Sequence, residues 1–343
     1  MQASELMCDA GEEIARLPFP ITFVHLDADL WTEVAQADPP PLPGDVHARF
    51  NTGEDAWVLI TYLVLKHRGH DVRLSKHFVP EQLCIAHYNH IRWRSFAYQS
   101  FVVAIRADRG PVYISEHRIV QSPGLADGRR DHFVPYWPQP GLLPRDSGRA
   151  DRVERIGFMG QERNLAEELR TPAFRERLAE LGMELVIRGT RPEWHDYRDL
   201  DVLLAVRGGK ARWLLTKPPS KLVNAWLAGC PAILGPEPAF EALRRGELDY
   251  QSASTADEVI AALEGLKREP ELFRKMIENG SARGRDYSIA QVARSWESVL
   301  RGVVGSDYQR WLDRPRRLRR GLLLARYLPR AALQRLMPNR YLR

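Results

Sequence analysis

Apolar residues along this chain fall in short solid runs, and the stretches between them are polar or amphipathic and of helix length. Solid runs bounded by polar residues predict strands buried on both faces, the signature of a parallel sheet. In the first half such runs are Ile21–Leu26, Gly69–Leu74, Leu83–His87 and Phe101–Ile105, with shorter strand candidates at Val112–Ser115 and Arg118–Gln121. Residues 1–18 predict a short, weakly amphipathic acidic helix. Asn51–Asp55 opens a longer helix that runs to about Arg68, with Thr52 as its cap and Glu54 and Asp55 favoured in the first turn.

From 133 to 149 proline recurs too often for regular structure, so this stretch predicts a linker between two domains, with aromatic residues free to line a cleft. The alternation then resumes. Strands are predicted at Glu154–Gly160, Met183–Arg188 and Val202–Arg207, and a helix at Leu165–Leu181. A polar connection follows at Trp194–Asp199, and further helices at Ala239–Arg245, Ala256–Lys267 and Pro270–Gly280, with a last one ending near Val304. Strands alternating with helices in both halves predict the α/β class, as two Rossmann-like domains facing across a cleft. The expected division is 1–150, 151–305 and a basic helical tail over 306–343.

A chain of 343 residues is long enough for two such domains. Its 44% hydrophobic and 27% charged residues are those of a water-soluble globular protein. No apolar run approaches the roughly 20 residues of a membrane span, and the acidic N-terminus lacks the features of a signal peptide, so a cytoplasmic protein is expected. Cys8, Cys84 and Cys230 have no metal-ligand spacing and read as reduced structural thiols. The net charge of +6 belongs to the tail, where eleven arginines against Asp307 and Asp313 leave the rest of the chain slightly acidic. The basicity is therefore poor support for nucleic-acid binding by the body of the protein.

The most informative stretch is 213–241. Pro218 and Pro219 stop what precedes, Ser220 can cap the helix Lys221–Ala228, Gly229 ends it, and Cys230–Leu234 is a short buried strand before the turn at Gly235-Pro236. A helix N-terminus with Lys217 and Lys221 beside it suits a diphosphate. The pattern Lys-Leu-x-Asn-Ala-x-x-Ala-Gly-x-Pro-Ala-Ile-Leu-Gly resembles the donor-binding segment of GT-B-fold glycosyltransferases. Family-4-type members carry two glutamates here, at positions matching Thr216 and Asn224, and both are absent. The Asn-Ala-x-x-Ala-Gly-x-Pro core is closer to the bacterial α1,3-fucosyltransferase pattern, without that family's upstream Phe-Glu-Asn segment. Strand, loop, helix, Gly69-His70-x-Val72 and strand in the first half also look like the opening of a GT-B N-terminal domain.

The resemblance implies transfer of a sugar from a UDP-, GDP- or dTDP-sugar to a glycan or lipid-linked hydroxyl in bacterial surface polysaccharide or glycoconjugate synthesis, with no obligatory metal. The expected donor set is Gly160, Arg163, Arg188, His195, Arg207, Lys217, Ser220, Lys221, Asn224, Glu237 and Glu241. Ordinary alternatives stand beside it: capping and solvated lysines, surface arginines, an exposed loop histidine, and an acid pair at a helix start. A base, if one is needed, belongs in the first domain, where Asp27, Glu54, Asp108 and Glu116 qualify by location, as do Asp55 and His87. Asp27-Ala28-Asp29 after the first strand resembles the metal-binding Asp-x-Asp of GT-A enzymes, but nothing precedes it to form a nucleotide-binding half, and polar turn residues are the stronger reading. The tail's arginine clusters and apolar pairs fit an anionic membrane surface at the inner face of the plasma membrane, or a helix packed on the protein, or a partly disordered segment. A non-catalytic nucleotide-sugar-binding scaffold is the alternative function, and nucleic-acid binding by the tail a third.

Overall fold

The computed structural model describes residues 14–92, 94–110, 112–209 and 211–337; most of the helix expected over 1–18, with Cys8, lies outside them. The chain divides into two compact units, one of 1–135 with 289–343 and one of 136–288. The break thus falls at 135/136 where the sequence suggested 150/151, and the last helices belong with the first unit.

The first unit is built on a six-stranded parallel sheet, β1 (Ile21–Val24), β2 (Val72–Ser75), β3 (Leu83–His87), β4 (Phe101–Ile105), β5 (His117–Val120) and β6 (Asp131–Phe133), in the order β2-β1-β3-β4-β5-β6. The central strands β1, β3 and β4 are solidly apolar because helices cover both faces of such a sheet. Thr52 and Asp55 cap the helix after β1 reciprocally: the Asp55 N–H donates to Thr52 Oγ1 at 3.1 Å and the Thr52 N–H to Asp55 Oδ2 at 2.7 Å. That helix opens with a π turn, Asp55–Leu59, and continues as α1 (Ile60–His67). Val112–Ser115, expected as a strand, is irregular.

The second unit holds β7 (Arg155–Met159), β8 (Glu184–Arg188), β9 (Val202–Ala205), β10 (Ala232–Leu234) and β11 (Gln251–Ser252), all parallel, in the order β11-β10-β9-β7-β8. The helix expected over Leu165–Leu181 is shorter, α2 (Pro172–Glu180), because Thr171 caps it by accepting the Phe174 N–H and Pro172 occupies its first turn. α3 (Ser220–Ala228) ends at Gly229, which takes φ 68°, the left-handed conformation a helix stop requires. α4 (Ala256–Arg268) and α5 (Pro270–Gly284) complete this unit.

Most of the stretch expected as a linker is built into the second unit. The Leu143 N–H donates to His195 O at 2.8 Å, the Arg145 N–H to Ala228 O at 2.8 Å, and Arg145 and Arg149 both pair with the fully buried Asp201 at 2.9 and 2.7 Å. Proline withheld regular structure there, and the remaining N–H groups found partners on neighbouring loops.

Returning to the first unit, α6 (Ile289–Val299) is anchored by Glu297. Its carboxylate receives Arg68 Nε at 2.6 Å and Arg68 Nη2 at 3.0 Å, and lies 2.7 Å from His70 Nε2. The Arg-rich tail forms α7 (Gly305–Leu312) and α8 (Arg316–Leu336), and α8 packs Tyr327 and Ala331 into the apolar cluster that contains Val24, Cys84 and Ile114. Among the described residues no helix is long and apolar enough to cross a membrane.

Candidate functional site

Both sheets share one wiring. In order of appearance each runs second, first, third, fourth, fifth, so each has a switch point between its first and third strands. Connections leave that point in opposite directions, and a crevice opens at the carboxyl ends of the strands. In the second unit the switch lies between β7 and β9; Gly160 directly follows β7, and Arg207 comes just after Val206 at the end of β9.

Gly160 donates its N–H to Arg188 O at 3.0 Å and takes φ +156°. A Cβ there would sit 3.3 Å from the Phe158 ring and 3.4 Å from Lys221 Nζ. Lys221, in the first turn of α3, turns its ammonium under this glycine, donates to Met159 O and lies 5.1 Å from the Phe158 ring centroid. Burial pushes its pKa well below the ordinary lysine value, with Arg207 and Lys217 adding repulsion and Glu237 opposing them. Arg207 Nη1 donates to Glu237 Oε2 at 2.9 Å, with only 7% and 1% of the two side chains exposed. The second oxygen, Glu237 Oε1, is buried and has no hydrogen-bond partner. Burial raises the Glu237 pKa against the pull of Arg207, Lys221 and Lys217.

This cluster has a definite chemical character. Two lysines and an arginine stand by the start of α3, whose first N–H groups have no intrahelical acceptor, and both features favour an anion. A buried carboxylate oxygen without a donor costs about 1–3 kcal/mol, and a ligand hydroxyl would relieve that cost.

Other expected donor residues are placed differently. Ser220 is the first helical residue, not the cap; that position is Pro219, with no side-chain cap bond. Asn224 is buried, and its Oδ1 accepts the Gln139 N–H at 3.1 Å, so it holds the chain segment entering this unit. Arg188 donates to Asp199 Oδ1 at 2.6 Å. His195 is half-buried, and its carbonyl serves Leu143. Arg163 and Glu241 are exposed, in the turns Glu162–Asn164 and Pro238–Glu241. Lys217 stands 4.2 Å from the Trp213 ring centroid.

The first unit's switch lies between β1 and β3, and an open concavity of about 640 Å³ occupies it, lined among others by Asp27, Thr52, Glu54, Asn89, Arg92 and Gln334. Of the four carboxylates expected as bases, two line this space. Glu54 receives Asn89 Nδ2 and stands 3.7 Å from His87 Nδ1. Burial would raise its pKa, but the Asn89 bond, a backbone bond, His87 and His90 together hold it below the ordinary value. His87 and His90 are each pushed down to about 4 by burial and stand as neutral rings at neutral pH. Asp27 is exposed; its neighbour Asp29 pairs with Lys76 at 2.5 Å. Among the described residues no group of three or more His, Cys, Asp or Glu is placed to hold a metal ion.

The other two lie elsewhere. Glu116 is paired with Arg330 at 2.9 Å, and Asp108 stands 4.0 Å from Arg109. Asp55, a further candidate, has Oδ2 taken by two backbone N–H groups and Oδ1 3.0 Å from His25 Nε2, so it braces the helix start. Sequence reasoning pointed to His87 and His90 as polar residues at a strand end but did not single out Asn89 or Arg92, whose signal was position alone, after a buried strand at the switch point.

The two sheets define a doubly wound α/β architecture in each unit. No protein-family model and no curated protein matches the chain. Solved structures do. It is similar to HepE of Anabaena in complex with UDP and glucose, at 10% identity over 82% of this chain and 99% of that one, TM-score 0.49. It is also similar to the pneumococcal O-GlcNAc transferase GtfA in complex with UDP and GlcNAc, at 11% identity over 65% of this chain and 57% of that one, TM-score 0.46. A third is TarM, at 7% identity over 63% of this chain, TM-score 0.45; the chain spans about half of TarM's length, 54%.

Proposed function

We propose that this protein is a glycosyltransferase that moves a sugar from a UDP-, GDP- or dTDP-sugar to a hydroxyl of a glycan or lipid-linked acceptor in bacterial surface polysaccharide or glycoconjugate synthesis. The observation that carries the reading is the second-unit cluster by the switch point, where Arg207 pairs with Glu237 Oε2, Lys221 in the first turn of α3 acts electrostatically on the same carboxylate, and Glu237 Oε1 is left without a partner. The donor diphosphate lies against the helix N–H groups and the cations, and a ribose or sugar hydroxyl donates to Glu237. As the bond from the sugar's anomeric carbon to the diphosphate breaks, the negative charge that develops is stabilised by groups already in place, which supplies catalysis without reorganisation. The acceptor oxygen forms the new bond to the anomeric carbon and gives its proton to a carboxylate base, for which Glu54, held below the ordinary carboxylate pKa, is the candidate. Cys84 and Cys230, both buried free thiols, support a cytoplasmic setting.

A second reading, a nucleotide-sugar-binding scaffold without turnover, is favoured by one observation. Asn224 occupies a position where the family-4 pattern has a glutamate, and it is committed to the Gln139 backbone. Release of nucleoside diphosphate from nucleotide-sugars by the purified protein separates the two. Slow donor hydrolysis that disappears in Lys221→Ala supports the enzyme; tight binding of a donor without turnover across an acceptor panel supports the scaffold.

A further inference from the structure

The terminal helix α8 carries seven arginines and no acid in 21 residues, and its two long faces differ in kind. Tyr327, Arg330, Ala331 and Gln334 form the face turned to the first unit. The Tyr327 ring packs tilted against Tyr98 with centroids 5.2 Å apart, Arg330 pairs with Glu116, and Gln334 accepts the Tyr113 and Ile114 N–H groups and donates to Ile91 O. On the opposite side, Leu318, Leu322, Ala325, Pro329, Ala332 and Leu336 recur at helical spacing, and all six are exposed. Leu328 and Leu333 widen this stripe at 60% and 40% exposure, and Leu336 reaches 77%. A soluble helix packed on a domain turns its apolar stripe inward and its charges outward. Here the outward stripe is apolar over the whole length of the helix, and the exposed Arg317, Arg326 and Arg335 stand on its flanks.

We propose that the outer face of α8 docks on an anionic lipid bilayer. Leucines directed into the acyl boundary with guanidinium groups on both flanks at headgroup level match a surface that is apolar below and negatively charged above. An acidic protein partner would satisfy the arginines but would have no use for a bare leucine stripe flanked by them. Gln334, on the inner face, lines the same concavity as Asp27 and Glu54. Docking therefore brings lipid within about a helix diameter, ~10 Å, of that concavity.

Co-sedimentation of the full chain with vesicles tests this. We expect binding to vesicles of equal parts phosphatidylcholine and phosphatidylglycerol, and much weaker binding to phosphatidylcholine alone. Leu322→Gln/Leu328→Gln/Leu333→Gln alters only exposed positions and keeps helix propensity; it should unfold at the native temperature and bind at least about a hundredfold more weakly. Arg317→Gln/Arg326→Gln/Arg335→Gln should lose about a hundredfold on the anionic vesicles alone. Native binding equal on both vesicles, no binding to either, or a leucine variant that binds like the native chain overturns the proposal. So does a native dimer that the leucine variant disperses while neither form sediments with lipid. None of these readouts involves turnover, so their failure leaves the donor reading standing.

Discussion

Replacing Lys221 by methionine should separate what this residue does for binding from what it does for stability. Its ammonium is packed between Met159 O, the Phe158 ring and Gly160, with Arg207 and Lys217 as like-charged neighbours. Because its folded pKa lies well below its unfolded value, the unfolded chain holds a proton that the native chain releases, over the window from the depressed pKa to the ordinary lysine value. Native stability therefore rises with pH through that window, and Lys221 lowers stability at neutral pH. Methionine keeps the packing and removes this cost, at the loss of one bond to Met159 O worth about 1 kcal/mol. The two effects offset, so unfolding temperature should hold or rise. A donor diphosphate beside Lys221 favours its protonated form, and the charge-assisted contact is worth about 1.5–3 kcal/mol, so Lys221→Met should weaken nucleoside-diphosphate binding by roughly 10- to 100-fold. Calorimetric titration reads the affinity and thermal unfolding across pH reads the slope. A variant that binds nucleotide like the native protein, or that unfolds several degrees lower and keeps the native pH slope, refutes this account of Lys221.

Glu54→Gln should lower kcat by about 10²–10⁴ with little change in unfolding temperature, since its side-chain partner Asn89 can bond an amide as well; the native acid limb of kcat should lie below the ordinary carboxylate value, and an unchanged kcat would remove Glu54 as the base. Glu297→Ala should cost about 3–5 kcal/mol in urea unfolding, because it removes the carboxylate that buried Arg68 and His70 Nε2 both contact. Glu297 is held down to about 2 from an ordinary 4.5 by His70 and Arg68 despite its burial. It therefore contributes on the order of 3 kcal/mol at neutral pH, lost as pH falls from about 4.5 to about 2, and the variant's acid unfolding profile should lack that component. Gly160→Ala should cost about 1–2 kcal/mol and weaken donor binding, because φ +156° strains an L side chain and the Cβ crowds the Phe158 ring and fills the approach beside Lys221 Nζ; native affinity in that variant would show that the ligand does not approach there.

Much of the fold was legible because parallel strands buried on both faces leave solid apolar runs, as at Ile21–Val24, Leu83–His87 and Val202–Ala205. The segments that escaped lacked that mark. Asp131–Phe133 is short and polar, and Gln251–Ser252 is a two-residue edge strand. The Leu165–Leu181 periodicity looked continuous, yet Thr171-Pro172 restarts the backbone in its middle. Sequence periodicity carries no signal for unit membership; the return of Ile289–Leu336 to the first unit is made by contacts such as those of Glu297 with Arg68 and His70, more than two hundred positions earlier, and of Arg330 with Glu116. At the second-unit cluster, residue type and helix position brought Lys221, Arg207 and Glu237 into view, whereas the diversion of Asn224 to Gln139 depended on how a proline-rich segment folds back. In the first unit location alone could not rank the carboxylates; the ion pair of Glu116 with Arg330 and the placement of Glu54 on the concavity do so.

The central claim is that the second unit holds a nucleoside-diphosphate sugar, and thermal unfolding against a panel of UDP-, GDP- and dTDP-sugars and their free nucleotides tests it most directly. One nucleotide series at 100 times its dissociation constant should stabilise the native state by about 2.7 kcal/mol, a shift of a few degrees, and Lys221→Met should abolish most of it. No shift with any member of the panel, or a shift that Lys221→Met leaves intact, would contradict the assignment.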